Sequence, residues 1–211
     1  MLDPLPSSAN GITIGGTNLR SIARADVRRH IIAMSQDPVF LPGHISLKRQ
    51  LDPFNLSSLE ECHAVMQLVE LSSLAINPTD LEAPLRPESL SGGQRQLLNL
   101  ARAVLRGRAR PRQIQDGEKP GGLLLLDEVS ASMDHQTERI MQRVIMNEFD
   151  GYTIIMVSHR LEMTMDFDTV LVMEQGRVIE RGQPRHLASD SNSHFGQLWL
   201  AGGNHAFNHH M

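Results

Sequence analysis

Four consecutive leucines, Leu123 to Leu126, run straight into Asp127-Glu128, and further along Thr153-Ile154-Ile155-Met156-Val157 runs into Ser158-His159. Unbroken apolar runs of this length suit parallel strands covered on both faces, whereas a half-wet sheet would alternate. Between the two runs Ile140, Val144 and Ile145 repeat at helical spacing, which supplies the crossover that parallel strands require. The pattern predicts a βαβ unit and an α/β chain with a parallel core sheet. His30 to Ser35 is a further compact apolar run, consistent with a buried strand that delivers Gln36 to its carboxyl end. Ligands of open α/β sheets bind beyond the carboxyl ends of the strands, so Gln36, Asp127-Glu128 and Ser158-His159 are expected to converge.

The rest of the chain organises around that unit. Ile12-Thr13-Ile14 reads as a short strand closed by Gly15-Gly16, and Pro38 with Pro42-Gly43 enforces a loop. Ser58 and Glu61 have capping-box spacing, with Cys62, Val65, Met66 and Val69 behind them on one helical face. A second helix is expected from Gln94 to Arg106, and the Pro-rich, acidic stretch Asn77 to Ser89 reads as loop. Together these predict a helical lobe over about residues 45–106. Residues 107–122 have no period and many breakers, so they read as a flexible insertion whose arginines, Arg106, Arg108, Arg110 and Arg112, form a solvated charge run. Val170 to Met173, a turn at Gln175-Gly176, and Val178-Ile179 suggest a β-hairpin. The expected division is one domain over 1–188 and a loosely ordered tail over 189–211, whose His205, His209 and His210 lack metal-ligand spacing.

Length and charge narrow the classes. At 211 residues and 40% hydrophobic the chain can bury one real core. Its formal charge of −4 offers no basic field for nucleic acid, and no such partner is expected. The single cysteine, Cys62, excludes an internal disulfide and reads as a buried helix residue. No segment resembles a secretory signal, and none approaches the ~20 apolar residues of a membrane-spanning helix, so the chain is expected to be soluble.

Two stretches carry chemistry. Adjacent carboxylates point to different sides of a strand, so Asp127 suits holding Mg²⁺ through water while Glu128 suits orienting and deprotonating an attacking water. A lone Asp-Glu pair is otherwise a solvated surface feature, a reading that the four preceding leucines weaken. Leu90-Ser91-Gly92-Gly93-Gln94 places a hydroxyl, two glycines and backbone N–H groups at a positive helix start, which makes an anion cradle. The same residues also describe a serine-capped helix after a glycine turn.

In sequence order these stretches resemble the motifs of ATP-binding cassette (ABC) proteins. Leu90 to Gln96 resembles their signature, Leu123 to Glu128 their Walker B strand, Gln36 the Q-loop glutamine, Ser132-Met133-Asp134 the D-loop, and His159 the switch histidine. Gln36-Asp37-Pro38-Val39-Phe40, Leu51-Asp52-Pro53-Phe54 and Gly93 to Leu98 look most like the second nucleotide-binding domain of multidrug-resistance-associated exporters, the C subfamily. The insertion before the Walker B strand is similar to fungal members. Met133 stands where many relatives carry Leu or Val. No Gly-x-x-x-x-Gly-Lys-[Ser/Thr] occurs in the 211 residues, although the family places that P-loop just ahead of the segment matching Met1 to Ser8.

The resemblance implies an incomplete P-loop NTPase-like ABC ATPase domain, with a parallel core sheet, an inserted helical lobe and a carboxyl-terminal hairpin. It implies ATP and Mg²⁺ as ligands, and as partners a second nucleotide-binding domain and the transmembrane domains of an exporter, at the cytoplasmic face of a membrane. Carried over residue by residue, Glu128 is the general base and His159 contacts the γ-phosphate. Asp127 and Gln36 hold Mg²⁺, Asp134 communicates across the interface, and Ser91, Gly92, Gly93 and Gln94 bind nucleotide on the partner domain. Without a P-loop the isolated chain is expected to be inactive, which leaves a non-catalytic regulatory fragment as the alternative. DNA-repair ABC ATPases share the motifs but carry a long coiled coil, and no sustained heptads occur here.

Overall fold

The computed structural model describes residues 11–14, 16–110, 121–129 and 133–202. A small antiparallel hairpin, β1 (Thr13–Ile14) and β2 (Thr17–Asn18), opens them. Helix α1 (Arg24–His30) leads directly into β3 (Ile31–Met34), the strand expected before Gln36. Neither α1 nor the next helix, α2 (Leu47–Leu51), is announced by periodicity, because each spans only one or two turns. Tertiary burial supports α2, which encloses Leu47, Gln50 and Leu51.

Helix α3 (Leu59–Leu68) begins as its sequence predicts. Ser58 Oγ accepts from the Glu61 N–H at 3.1 Å, and the Glu61 carboxylate accepts from the Ser58 N–H at 2.8 Å, which satisfies two otherwise orphaned donors. Cys62, Val65, Met66 and Val69 are fully buried behind this cap. The Asn77 to Ser89 stretch contains two short 3₁₀ turns, Pro78–Glu82 and Pro87–Ser89.

Helix α4 (Gly92–Ala109) starts earlier and ends later than its expected Gln94–Arg106 span. This end of the helix carries arginines with partners on neighbouring elements. Arg108 makes a bidentate pair with Glu148 at 2.7 Å, the Arg110 guanidinium lies 5.6 Å over the Tyr152 ring, and Arg106 donates to the Arg28 carbonyl. The solvated-run expectation is thus corrected for Arg110, which is buried against Tyr152, while Arg106 and Arg108 stay exposed and find partners from the helix surface. Residues 111–120, with Arg112, lie outside the described residues.

Beyond them come β4 (Leu123–Asp127), α5 (His135–Glu148) and β5 (Thr153–Val157). β3, β4 and β5 form a parallel sheet in that order, with Met34 opposite Leu126 and Asp127 opposite Val157. Ile32, Met34, Leu124 and Leu126 point into the core that α4 and α5 share, each no more than 3% exposed. On the opposite face Ile155 and Val157 are 51% and 54% exposed.

The hairpin β6 (Val170–Glu174) and β7 (Arg177–Gly182) turns through Gln175 and Gly176, both at positive φ as tight hairpin turns require. After α6 (Pro184–Ser189), the expectation of a loosely ordered tail from Ser189 is corrected by α7 (His194–Ala201). Ser193 caps that helix by accepting from the Gly196 N–H at 2.7 Å. Phe195 and Trp199, one turn apart, bury against Met165 and Ala188 in a second cluster. The tail histidines His205, His209 and His210 lie outside the described residues.

Candidate functional site

The carboxyl edge of the parallel sheet collects the strand-end residues. β4 ends on exposed Asp127, and Glu128 comes next with φ at 48°, a left-handed backbone uncommon for any residue but glycine. The Glu128 N–H still donates to the Val157 carbonyl at 3.0 Å, which anchors the bend to β5. From this bend Glu128 Oε1 approaches His159 Nε2 at 2.8 Å. The convergence expected of the Walker B-like and switch-like residues is therefore a direct contact between their side chains.

Gln36 leaves β3 at the same edge. Its carbonyl accepts from Gln96 Nε2, which links the Q-loop-like segment to α4. Gln50 and Arg102, which sequence reasoning missed, brace the loop from Val39 to Leu41. The Gln50 amide pairs with both backbone groups of Leu41, while Arg102 donates to the Gln50 and Val39 carbonyls and stacks over Phe40 at 4.8 Å. Burial holds the Arg102 guanidinium below its ordinary pKa. A helical-phase arginine beside so many apolar positions was the available signal.

The signature-like residues form a second cluster. Ser91 is the N-cap of α4: its Oγ accepts from the Gln94 N–H at 3.1 Å, and Gln94 Oε1 accepts from the Ser91 N–H at 2.9 Å. Both sequence readings of this stretch are thus compatible, because a neutral cap leaves Gly92 and Gly93 in the helix's first turn, where N–H groups have no intrahelical acceptor. Gly93 has little room for a side chain, since a Cβ there would stand 3.2 Å from the Thr137 side chain.

Asp134 caps α5, and its carboxylate accepts from the Gln136 and Thr137 N–H groups at 2.9 Å and from Thr137 Oγ1 at 3.0 Å. These bonds, those from Thr137 first, hold its pKa below the ordinary carboxylate value. Ser132 lies outside the described residues. Arg160, also missed from sequence, reaches from beside His159 to Glu138 and to the Met133 carbonyl. The structure therefore joins Glu128 to His159 directly, Gln36 to α4, and Gly93 to the Asp134 cap. No hydrogen bond among the described residues joins Ser91 or Gln94 to Glu128 or His159.

Residues 2–109, just over half of the chain, match the sequence profile of the family described as ABC transporter. The chain belongs to the ABC transporter family. Members of that family are generally ATPases. This ABC chain is 48% identical over 200 residues to the ABC transporter FGM5 of Gibberella zeae, covering 94% of this chain and 13% of that protein. It is 45% identical over 206 residues to the ABC-type transporter braE of Annulohypoxylon truncatum, covering 97% and 14%. A C-subfamily relative, ATP-binding cassette sub-family C member 2 of Rattus norvegicus, is 36% identical over 197 residues, covering 90% and 12%. The chain thus spans between 12% and 14% of the length of these relatives. Its fold resembles a bacterial Atm1-family ABC exporter solved with ATP bound, with a TM-score of 0.71 and 22% identity over 89% of this chain and 31% of that one. The ABC fold class read from the sequence, α/β with a parallel sheet, is the fold observed.

Proposed function

We propose that this chain is the carboxyl-terminal nucleotide-binding domain of an ABC exporter, and that it couples ATP hydrolysis to transport across a membrane from the cytoplasmic face. The observation that carries this reading is the contact of Glu128 with His159 at 2.8 Å, at the carboxyl edge of a parallel sheet. The relatives, each named as a transporter or a sub-family C member, support the setting. The domain includes α7, which packs on Met165 and Ala188, so the expected boundary at 188 moves beyond that helix, and its helical lobe lies over about 45–106.

Asp127 and Gln36 suit Mg²⁺, because both offer oxygen donors at that edge and neither side chain spends them on a hydrogen bond among the described residues. The ion would neutralise phosphate charge when bound. Glu128 takes the proton of the attacking water, and His159 both orients that carboxylate and faces the γ-phosphate. Ser91, with the N–H groups of Gly92 and Gly93, offers a positive helix end to a nucleotide held by a second nucleotide-binding domain, and Asp134 lies toward that same partner. Transmembrane domains complete the exporter.

One experiment tests the reading. The 211 residues contain no Gly-Lys loop for the triphosphate, so the polypeptide alone is expected to release no phosphate above background. Mixed with an intact nucleotide-binding domain, it should associate in the presence of ATP, as read by light scattering. Ser91→Arg should abolish that association and Glu128→Gln should leave it in place. Robust turnover by the polypeptide alone, or association indifferent to Ser91→Arg, would overturn the assignment.

A further inference from the structure

We propose that Arg160 is a positioning residue that ties the Glu128–His159 pair to the first turn of α5 and, through it, to the start of α4. The proposal rests on reading Glu128 and His159 as the hydrolytic pair. His159 is 84% exposed, and an exposed histidine–carboxylate contact is too weak to fix its own geometry. The backbone on either side of it must do so.

That backbone is held at several points. Ser158 Oγ accepts from the Arg160 N–H and donates to the Arg160 carbonyl, both at 3.0 Å, which closes a tight loop around His159. The Arg160 guanidinium then uses two prongs: Nη1 donates to the Glu138 carboxylate and Nη2 to the Met133 carbonyl at 2.9 Å. Glu138 is only 8% exposed, and the other basic side chain near its carboxylate among the described residues is His135, 3.9 Å away and 87% exposed. A buried carboxylate demands a partner, so Arg160 and Glu138 hold each other in one arrangement. A planar fork addressing two acceptors also fixes direction, which a lysine cannot reproduce in full.

On its far side the strut meets the other cluster. Met133 immediately precedes the cap residue Asp134, whose carboxylate accepts from Thr137 Oγ1, and Gly93 of α4 packs against Thr137. Gly93, Thr137, Asp134, Met133, Arg160 and His159 thus form a continuous run of contacts. A displacement where α4 meets a partner's nucleotide would reach the hydrolytic pair through Arg160.

The test is nuclear magnetic resonance on the nucleotide-free 211-residue polypeptide, reading the Cε1–H cross-peak of His159. Glu128→Gln defines the position of an unpaired His159. Arg160→Ala and the isosteric Glu138→Gln should each move the His159 peak onto that position, with methyl peaks of Leu124 and Leu126 unmoved as the check on folding. Arg160→Lys should leave it between the two, a partial rescue. Gly93→Ala, which presses on Thr137, should shift the His159 peak in the parent and leave it still in the Arg160→Ala background. A His159 peak that keeps its parental position in both Arg160→Ala and Glu138→Gln, or an equal Gly93→Ala shift in both backgrounds, would overturn the proposal. Because no ATP is needed, failure of ATP-dependent association would leave this result standing, and the reverse also holds.

Discussion

β4 sends Leu124 and Leu126 to one side of the sheet and Leu123, Leu125 and Asp127 to the other, and the two sides are packed differently. The first side is closed: Leu124 and Leu126 are 0% and 1% exposed against helices of the core. On the second, where the register sets Ile155 beside Leu125 and Val157 beside Asp127, the β5 side chains stay about half exposed. Parallel sheets are ordinarily buried on both faces. The contrast teaches that one face does the folding of these residues, while the face bearing Asp127 is apolar surface that these contacts leave uncovered.

Three measurements would sharpen or break this contrast. The largest effect is expected on the closed side, where Leu124→Ala should lower the stability of the polypeptide by about 2–5 kcal/mol in urea denaturation. A cost below about 1 kcal/mol would mean that the core is loosely packed. Thiol labelling gives the next contrast. Cys62 is fully enclosed, and burial pushes its thiol up to about 11, so at pH 8 only about one thiol in a thousand is ionised. The neutral buried thiol favours the folded chain below its ordinary value, and that contribution fades as pH rises through about 11. Val157→Cys, in a Cys62→Ala background, should react at least about a hundredfold faster than Cys62 in the parent; equal rates would show that the second face is covered in solution. The smallest effect belongs to Ile155→Thr, which should change stability by no more than about 0.5 kcal/mol, a result that a cost near that of Leu124→Ala would contradict.

The same contrast explains what sequence could and could not reveal. Leu123 to Leu126 and Thr153 to Val157 were legible as strands because continuous apolar runs leave few alternatives, and Ser58 with Glu61 marked a helix start because the capping box is a local device. The exposed state of Ile155 was illegible, since the run states what each face is suited to and not what is present to cover it. α1 and α2 escaped notice because each is too short for periodicity to register, and α2 depends on partners far along the chain. At the site, Glu128, His159, Gln36 and Ser91 could be named from motifs, and the 2.8 Å contact was a natural consequence of neighbouring strand ends. Arg160 and Arg102 could not be assigned roles, because a guanidinium declares its acceptors only once the chain has folded around it. Arg110, expected in solvent with the rest of its charged run, is buried for the same reason.

The left-handed backbone of Glu128 sets folding economy against chemistry at a single residue. Glycine or asparagine would adopt φ 48° with less strain than the glutamate that stands there. The bend that strains this residue also throws its carboxylate clear of the strand and toward His159. Stability and reactivity therefore make opposite demands on position 128, and substitutions that relax its main chain are the ones that remove the group the site uses.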